Sequence, residues 1–196
     1  DIGCFSFYPT KNLATFGDGG ALWAKDENLY KFFLQGKSYG EKERHYSEFL
    51  SFHSRLPEIQ AGILNAPFAH FKKDLEKRKT AATYYGLRLK REGLSSKVRP
   101  LVSDLDSDPA VHLFVIETKG RNALQKFLEK KKIPTYVHYP YPVHILPAFS
   151  YLGYKKGDFP MAERLAKSIL SLPFHPFILK SEIDYVVTAL REFYHG

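Results

Sequence analysis

The sequence is poor in the residues and runs that mark several classes of protein. It has a single cysteine, Cys4, so no intramolecular disulfide can form, which favours a reducing, cytoplasmic compartment. No apolar run approaches the length of a membrane span, and the N-terminus shows no basic region followed by an apolar stretch. We therefore expect neither a membrane protein nor a secreted one, and we expect Cys4 to be a small core residue.

The chain is basic but lacks the signature of a nucleic-acid-binding module. Its net charge is +8 and its pI is near 9.4, a balance that suits nucleic acid, an anionic surface or a small molecule bearing phosphate. Bases alternate with acids in "KKDLEKRK" and "FLEKKK", which is typical of solvated helix faces. We expect no nucleic-acid partner, although a basic binding surface is kept as one hypothesis.

Hydrophobic periodicity predicts a layered α/β or α+β protein, in which strands and helices alternate. The predicted strands are residues 4–7, 20–24, 98–102, 111–118 and 135–139. The predicted helices are a short one between Asp26 and Gly36 and those at residues 57–93, 121–131, 159–170 and 181–194. Residues 36–54 are predicted to form a loop, and Ser181 with Asp184 to cap the last helix.

The longest predicted helix sets the expected domain boundary. Apolar residues recur along it at spacings of three and four, although Pro67 lies inside the pattern and should kink it. We expect residues 1–77 to be the end of one domain, including the start of this helix. Residues 78–196 are expected to form a second, smaller domain.

One lysine, Lys11, lies between an aromatic run and a glycine-rich turn in "CFSFYPTKNLATFGDGGALWA". A lysine that forms a Schiff base must lose its proton, and a desolvated setting favours that loss. The glycines at 17, 19 and 20, expected to take positive φ, would let backbone approach a ligand, and Ser6 could bind a phosphate oxygen. From these residues alone, a cofactor-binding lysine and a solvent-facing lysine in a hairpin both remain open.

Four motifs in this order resemble the DegT/DnrJ/EryC1/StrS family of pyridoxal 5′-phosphate (PLP)-dependent sugar aminotransferases. They are "FSFYPTKNLATFGDGGA", "SRLPEIQAGIL", "VHYPYPVH" and "FPMAERLAKSILSLPF". The resemblance covers essentially all of the chain. It implies the α/β fold of the C-terminal half of a fold-type I aminotransferase: the edge of the large domain, a long linking helix and a small α+β domain.

The resemblance also implies roles for individual residues. Lys11 would be the catalytic residue that holds PLP as a Schiff base and moves a proton, and Ser6 would bind the PLP phosphate. His53 replaces a family asparagine that reaches the cofactor phosphate of the neighbouring subunit, and Arg55 matches an arginine near that shared site. The residues expected to face a nucleotide sugar are Tyr8, His138, Tyr139 and His144.

Two side-chain groups near these motifs have simpler interpretations. His138 and His144 could suggest a metal site, but two histidines without a third ligand are a weak signal, and we predict no metal. Glu163 lies on a helix with several apolar neighbours and fits an ion-pair partner as well as a site residue.

The implied reaction transfers an amino group, with glutamate as donor, to a nucleotide-linked keto-sugar, for polysaccharide or glycoconjugate synthesis by a homodimer. The residues of the Lys11 motif and of "VHYPYPVH" are most similar to those of family members that aminate the 3-keto position of dTDP-6-deoxyhexoses. Lysine at position 11 favours transamination, because the family's dehydratases carry histidine there.

The sequence also departs from the family pattern. His53 stands for asparagine, Ser51 for glycine and Lys37 for arginine, and the N-terminal half is missing. That half would carry the aromatic and the aspartate that contact the PLP ring, so the chain alone is expected to be inactive and residues 1–60 to expose apolar surface. A truncated, cofactor-free interaction or dimerisation module remains the alternative.

Overall fold

The computed structural model describes residues 1–101 and 108–196. They divide into two units, Asp1–Lys73 and Asp74–Gly196. The boundary lies within the longest helix, which therefore contributes residues to both. In the described residues, no helix has the length and apolar character needed to cross a bilayer.

The first unit consists of short elements around two hairpins. Its elements are β1 (Ile2–Ser6), β2 (Gly20–Ala24), α1 (Glu27–Gly36), β3 (Glu41–Glu43) and β4 (Tyr46–Ser47). Strands β1 and β2 pair antiparallel, and Asp26 caps α1 as predicted, its carboxylate accepting a hydrogen bond from Leu29 N at 2.9 Å. Strands β3 and β4 lie in the segment predicted to be a loop, so that prediction was wrong.

This unit buries almost nothing by itself. Within residues 1–73 only Thr15 and Gly40 are buried, whereas Leu50 is 97% exposed and Phe52 81% exposed. Cys4 is exposed as well, contrary to the prediction, because the two-stranded sheet of β1 and β2 has no second layer within the unit. The apolar surface expected from the sequence is therefore present.

Helix α2 (Glu58–Arg91) begins directly after Pro57 and continues through Pro67. Its predicted apolar stripe is buried only in the second unit, since Phe68 remains 66% exposed. The buried residues of α2 are Arg78, Ala81, Ala82, Tyr85 and Leu89. The predicted domain boundary between residues 77 and 78 stays a prediction.

The second unit contains a three-stranded antiparallel sheet in the order β5–β6–β7. Its strands are β5 (Val98–Pro100), β6 (Phe114–Thr118) and β7 (Ile169–Leu172). Strand β5 is shorter than predicted, and Val102, at the end of the predicted segment, lies outside the described residues. The predicted strand at 135–139 is reduced to one bridge between Tyr136 and Ser171.

Three helices pack with α2 and this sheet. They are α3 (Arg121–Lys130), α4 (Pro160–Ser168) and α5 (Lys180–His195). The predicted helix at 159–170 ends early because Ile169 and Leu170 join β7, where all four residues are buried. The core contains, among others, Tyr85, Phe114, Leu128, Leu170 and Leu190.

The start of α5 differs from the predicted cap. Glu182, not Asp184, accepts a hydrogen bond from the Leu179 backbone N–H, at 2.8 Å. Asp184 is used elsewhere, because it accepts hydrogen bonds from Tyr84 Oη at 2.9 Å and from Arg88 Nε at 2.6 Å. These contacts join α5 to α2 within the small α+β domain that the sequence predicts.

Candidate active site

The Lys11 segment is a loop of residues 7–19 that joins β1 to β2. Two backbone hydrogen bonds close it: Phe7 N–H donates to Gly19 O at 2.7 Å, and Thr15 N–H donates to Phe7 O at 2.9 Å. The loop is thereby anchored at Phe7, one residue beyond the end of β1. Lys11 is thus held on a closed loop and not on a free surface turn.

A β-turn places Lys11 within this loop. The Lys11 N–H donates to Tyr8 O at 2.8 Å, and Pro9 occupies the second position of the turn, where its fixed φ is favourable. Lys11 is half-buried, and its amine forms no ion pair with any residue in the described part of the chain. No carboxylate of the described residues therefore holds this amine.

Ser6 and Tyr8 lie immediately before this turn. Ser6 Oγ accepts a hydrogen bond from Tyr8 N–H at 3.4 Å, and both side chains are exposed. Because the oxygen only accepts in this contact, the hydroxyl proton of Ser6 remains available to donate to an anion. Ser6 is therefore suited to the phosphate-binding role that the resemblance implies.

The glycines after Lys11 allow close packing and do not take positive φ. None of Gly17, Gly19 and Gly20 has a φ in the left-handed range, so that prediction was wrong. A Cβ at Gly19 would lie 2.9 Å from Thr15 Cγ2 and 3.0 Å from Leu56 Cδ1, and one at Gly20 would lie 2.8 Å from Phe5 O. The glycines permit the loop and strands to approach this closely.

The variant Gly20→Ala is expected to lower the free energy of unfolding of the hairpin by about 1–3 kcal/mol, because backbone at Phe5 must move to accept the new Cβ. Urea unfolding followed by the fluorescence of Trp23, the only tryptophan and a β2 residue, would measure it. Gly62→Ala is the matched control, since its Cβ would meet nothing within 4 Å. Equal unfolding midpoints for the two variants would contradict the packing argument.

Gln60 is a site residue that the sequence reasoning did not single out. It lies in the first turn of α2, and its Oε1 accepts a hydrogen bond from the Phe16 N–H at 3.1 Å. Its Nε2 would lie 3.1 Å from a Cβ at Gly17. Gln60 therefore holds the loop that follows Lys11, and its position inside the quoted "SRLPEIQAGIL" motif was the available signal.

His53 and Arg55 are brought together by the structure. Arg55 Nε donates to His53 Nε2 at 2.6 Å, and both residues are exposed. His53 is held by a bridge to Ser38 and a ring contact with Tyr39 at 5.4 Å. Since Nε2 accepts, the remaining ring hydrogen is on Nδ1, which leaves His53 one donor for a ligand.

The second unit holds the other predicted substrate residues. His138 Nδ1 lies 2.9 Å from Ser171 Oγ of β7, which fixes the ring against the sheet. Tyr139 contacts the His138 ring edge to face and is 70% exposed. Tyr139 is therefore the more accessible of the pair.

His144 is the most buried of the predicted substrate residues. It is only 9% exposed, and its Nε2 is 3.1 Å from Glu163 Oε1. The role of His144 as a substrate contact stays a prediction, and its ring is buried and bonded to a carboxylate. Its bonding partner Glu163 is the residue for which the sequence left two possibilities, an ion-pair partner or a site residue.

Comparison with known proteins assigns the chain to a family. Residues 1–191 match the DegT/DnrJ/EryC1/StrS aminotransferase family. The chain belongs to this family. Its fold is that of the C-terminal half of a fold-type I aminotransferase, as predicted.

Individual relatives agree with this assignment. The chain is 40% identical to the pleiotropic regulatory protein of Geobacillus stearothermophilus, with 97% of this chain and 51% of that protein covered. It is 36% identical to the dTDP-3-amino-3,4,6-trideoxy-α-D-glucose transaminase of Streptomyces venezuelae, with 97% and 50% covered. The chain thus spans about half the length of these relatives.

Solved structures show the same relation. The crystal structure of S. venezuelae DesV superimposes with a TM-score of 0.90 at 34% identity, covering 100% of this chain and 52% of DesV. A DegT DnrJ EryC1 StrS aminotransferase from Brucella abortus gives a TM-score of 0.89 at 28% identity, covering 100% and 51%.

Proposed function

We propose that this chain is the C-terminal half of a PLP-dependent aminotransferase that transfers an amino group, with glutamate as donor, to a nucleotide-linked keto-sugar. The observation that carries the proposal is the half-buried Lys11 on a closed loop that follows Ser6. Relatives named as transaminases of dTDP- and UDP-linked sugars support the substrate class. A 3-keto position of a dTDP-6-deoxyhexose is the finer proposal.

The residues of the loop fit PLP by their chemistry. Lys11 supplies an amine, and the hydroxyl proton of Ser6 can be donated to a phosphate oxygen. Thr15 Oγ1 is buried without a hydrogen-bond partner in the described residues, so its hydrogen-bonding capacity is unused there. PLP, when bound, supplies an aldehyde for the amine and an electron-withdrawing ring.

The protein's own residues have separate tasks in this proposal. Lys11 Nζ holds the cofactor and then moves a proton to and from the substrate carbon as general acid and base. Ser6 orients the phosphate, and His53 with Arg55 offers further donors for it, as the resemblance implies for a site shared by two subunits. Tyr8, His138, Tyr139 and His144 are proposed to contact the nucleotide sugar.

The test joins this chain to the N-terminal half of the S. venezuelae transaminase and assays amino transfer from glutamate to dTDP-linked and UDP-linked 3-keto-sugars. Turnover with one of these sugars is the expected result. A joined protein that is folded and binds PLP but transfers no amino group to any nucleotide sugar would contradict the proposal.

A cofactor-free interaction module is the second candidate, and the exposed apolar surface of the first unit favours it. Such a module would associate with a partner or a second copy yet never bind PLP. Sedimentation of the chain with and without PLP separates the two candidates, because only the enzyme half is expected to retain the cofactor.

A further inference from the structure

The segment between Tyr139 and Met161 is almost entirely open to solvent, with one exception. His144 is the only buried residue in it, although the segment contains several aromatic side chains that remain exposed. Tyr151 is 79% exposed and Tyr141 65%. The buried side chain of this segment is thus an imidazole, whereas buried side chains are usually apolar.

Glu163 of α4 binds two parts of this segment through one oxygen. Its Oε1 accepts a hydrogen bond from His144 Nε2 at 3.1 Å and another from Gly157 N–H at 2.6 Å. Because a carboxylate has no proton to give, Nε2 of His144 carries the hydrogen. The Phe159 ring packs on His144, with ring centres 4.8 Å apart.

The contacts of Glu163 favour its ionised form. The hydrogen bond from the Gly157 N–H lowers the pKa of the Glu163 carboxyl, burial opposes this, and the hydrogen bond from His144 lowers it further. The titratable groups that face it are His144 and Lys156, and Lys156 also lowers this pKa. Ionised Glu163 therefore stabilises the segment at neutral pH, and this stabilisation is lost as the pH falls through the lowered pKa.

We propose that His144 and Glu163 form a latch that positions residues 139–157 and that opens when the Glu163 carboxylate is protonated. The latch fixes the Val143–Ile145 turn and the turn at Gly157 to α4. In this proposal His144 acts by positioning the segment. Its consequence for sugar recognition, through the adjacent Tyr139, rests on the function proposed above.

Hydrogen exchange of the whole chain, read on peptides from residues 139–157, tests the latch without substrate or cofactor. Glu163→Ala is expected to speed exchange in these peptides about tenfold at pH 7, because both donors lose a charged acceptor. Glu163→Gln keeps an acceptor oxygen but has no charge, so it is expected to lie between wild type and the alanine variant.

The pH dependence of exchange distinguishes the latch from a merely structural role. A merely structural contact would not respond to the protonation of Glu163. The ratio of exchange rates between Glu163→Gln and wild type should approach one as the pH falls through the lowered pKa of Glu163, because the wild-type carboxylate is then protonated and uncharged like the amide. Glu129→Gln, on the exposed face of α3, is the matched control and should exchange like wild type at every pH.

Two results would overturn the latch. One is unchanged exchange in residues 139–157 of Glu163→Ala, and the other is faster exchange spread equally over α3 and β6, which would indicate global destabilisation. Because this readout needs neither PLP nor sugar, failure of the latch and failure of the proposed aminotransferase activity are distinguishable.

Discussion

Lys11→Arg is expected to lower the rate of amino transfer by the joined, full-length protein by about 10²–10⁴-fold, the range associated with loss of a positioned general acid–base. Arginine keeps the positive charge and the length of the side chain, but its guanidinium does not form a stable Schiff base. The backbone turn to Tyr8 O should persist, since it uses only the Lys11 N–H. Steady-state assay with glutamate and a dTDP-linked 3-keto-sugar measures the change.

Lys25→Arg is the matched control for this prediction. Lys25 follows β2, is exposed, and is held by a backbone hydrogen bond to Asp1 O. It should retain nearly the full rate. If both arginine variants kept wild-type turnover, Lys11 would not be the catalytic lysine and the proposed function would need another amine.

Phe114→Ala is expected to reduce the free energy of unfolding of the second unit by about 3–5 kcal/mol. Phe114 is 1% exposed and lies in the central strand β6. Its ring stacks on Tyr85 at 4.4 Å and also contacts Phe174 at 6.1 Å. Truncation leaves a cavity among rigid neighbours, because the Tyr85 hydroxyl is itself fixed by donating to Pro173 O at 2.9 Å.

Urea unfolding followed by far-ultraviolet circular dichroism measures this loss. Phe177→Ala is the control, since Phe177 is 64% exposed and contacts mainly the Lys77 ammonium at 4.3 Å, a contact worth at most about 1 kcal/mol. Equal losses for the two variants would mean that the second unit lacks the core described here.

The helices were predictable because their signals are local. The cap at Asp26 and the spacing of apolar residues in α2, α3 and α5 depend on near neighbours, and the structure confirms these helices within a few residues. Strand β7 was missed because the periodicity of α4 runs into it without a glycine or proline between them. Only pairing with β6, distant in sequence, makes Ile169 and Leu170 part of a strand.

The candidate site was predicted through its motifs, and its supporting contacts were not. Lys11, Ser6 and Arg55 follow from the resemblance and keep accessible functional groups. The contacts of Gln60 with Phe16 and of Glu163 with His144 join residues that are far apart or separated by irregular turns. No periodicity or spacing rule gives such pairs, so these residues needed the structure.

The first unit leaves apolar surface and strand edges that further protein is proposed to cover. Its aromatic and aliphatic side chains are exposed, and the two outer edges of the β1–β2 sheet pair with no strand in the described residues. The relatives are about twice as long as the part that this chain matches. We therefore propose that an N-terminal half covers this surface. The Lys11 loop, in contrast, is closed by hydrogen bonds within this unit.

The most direct test of the central claim is chemical trapping on this chain. Purified protein is incubated with PLP, reduced with borohydride, digested, and analysed by mass spectrometry for pyridoxyl-lysine. The account predicts stoichiometric, selective labelling of the Lys11 peptide, because its loop is preformed and its amine has no ion-pair partner in the described residues. Labelling scattered over the surface lysines, or no labelling, would contradict a cofactor site at Lys11.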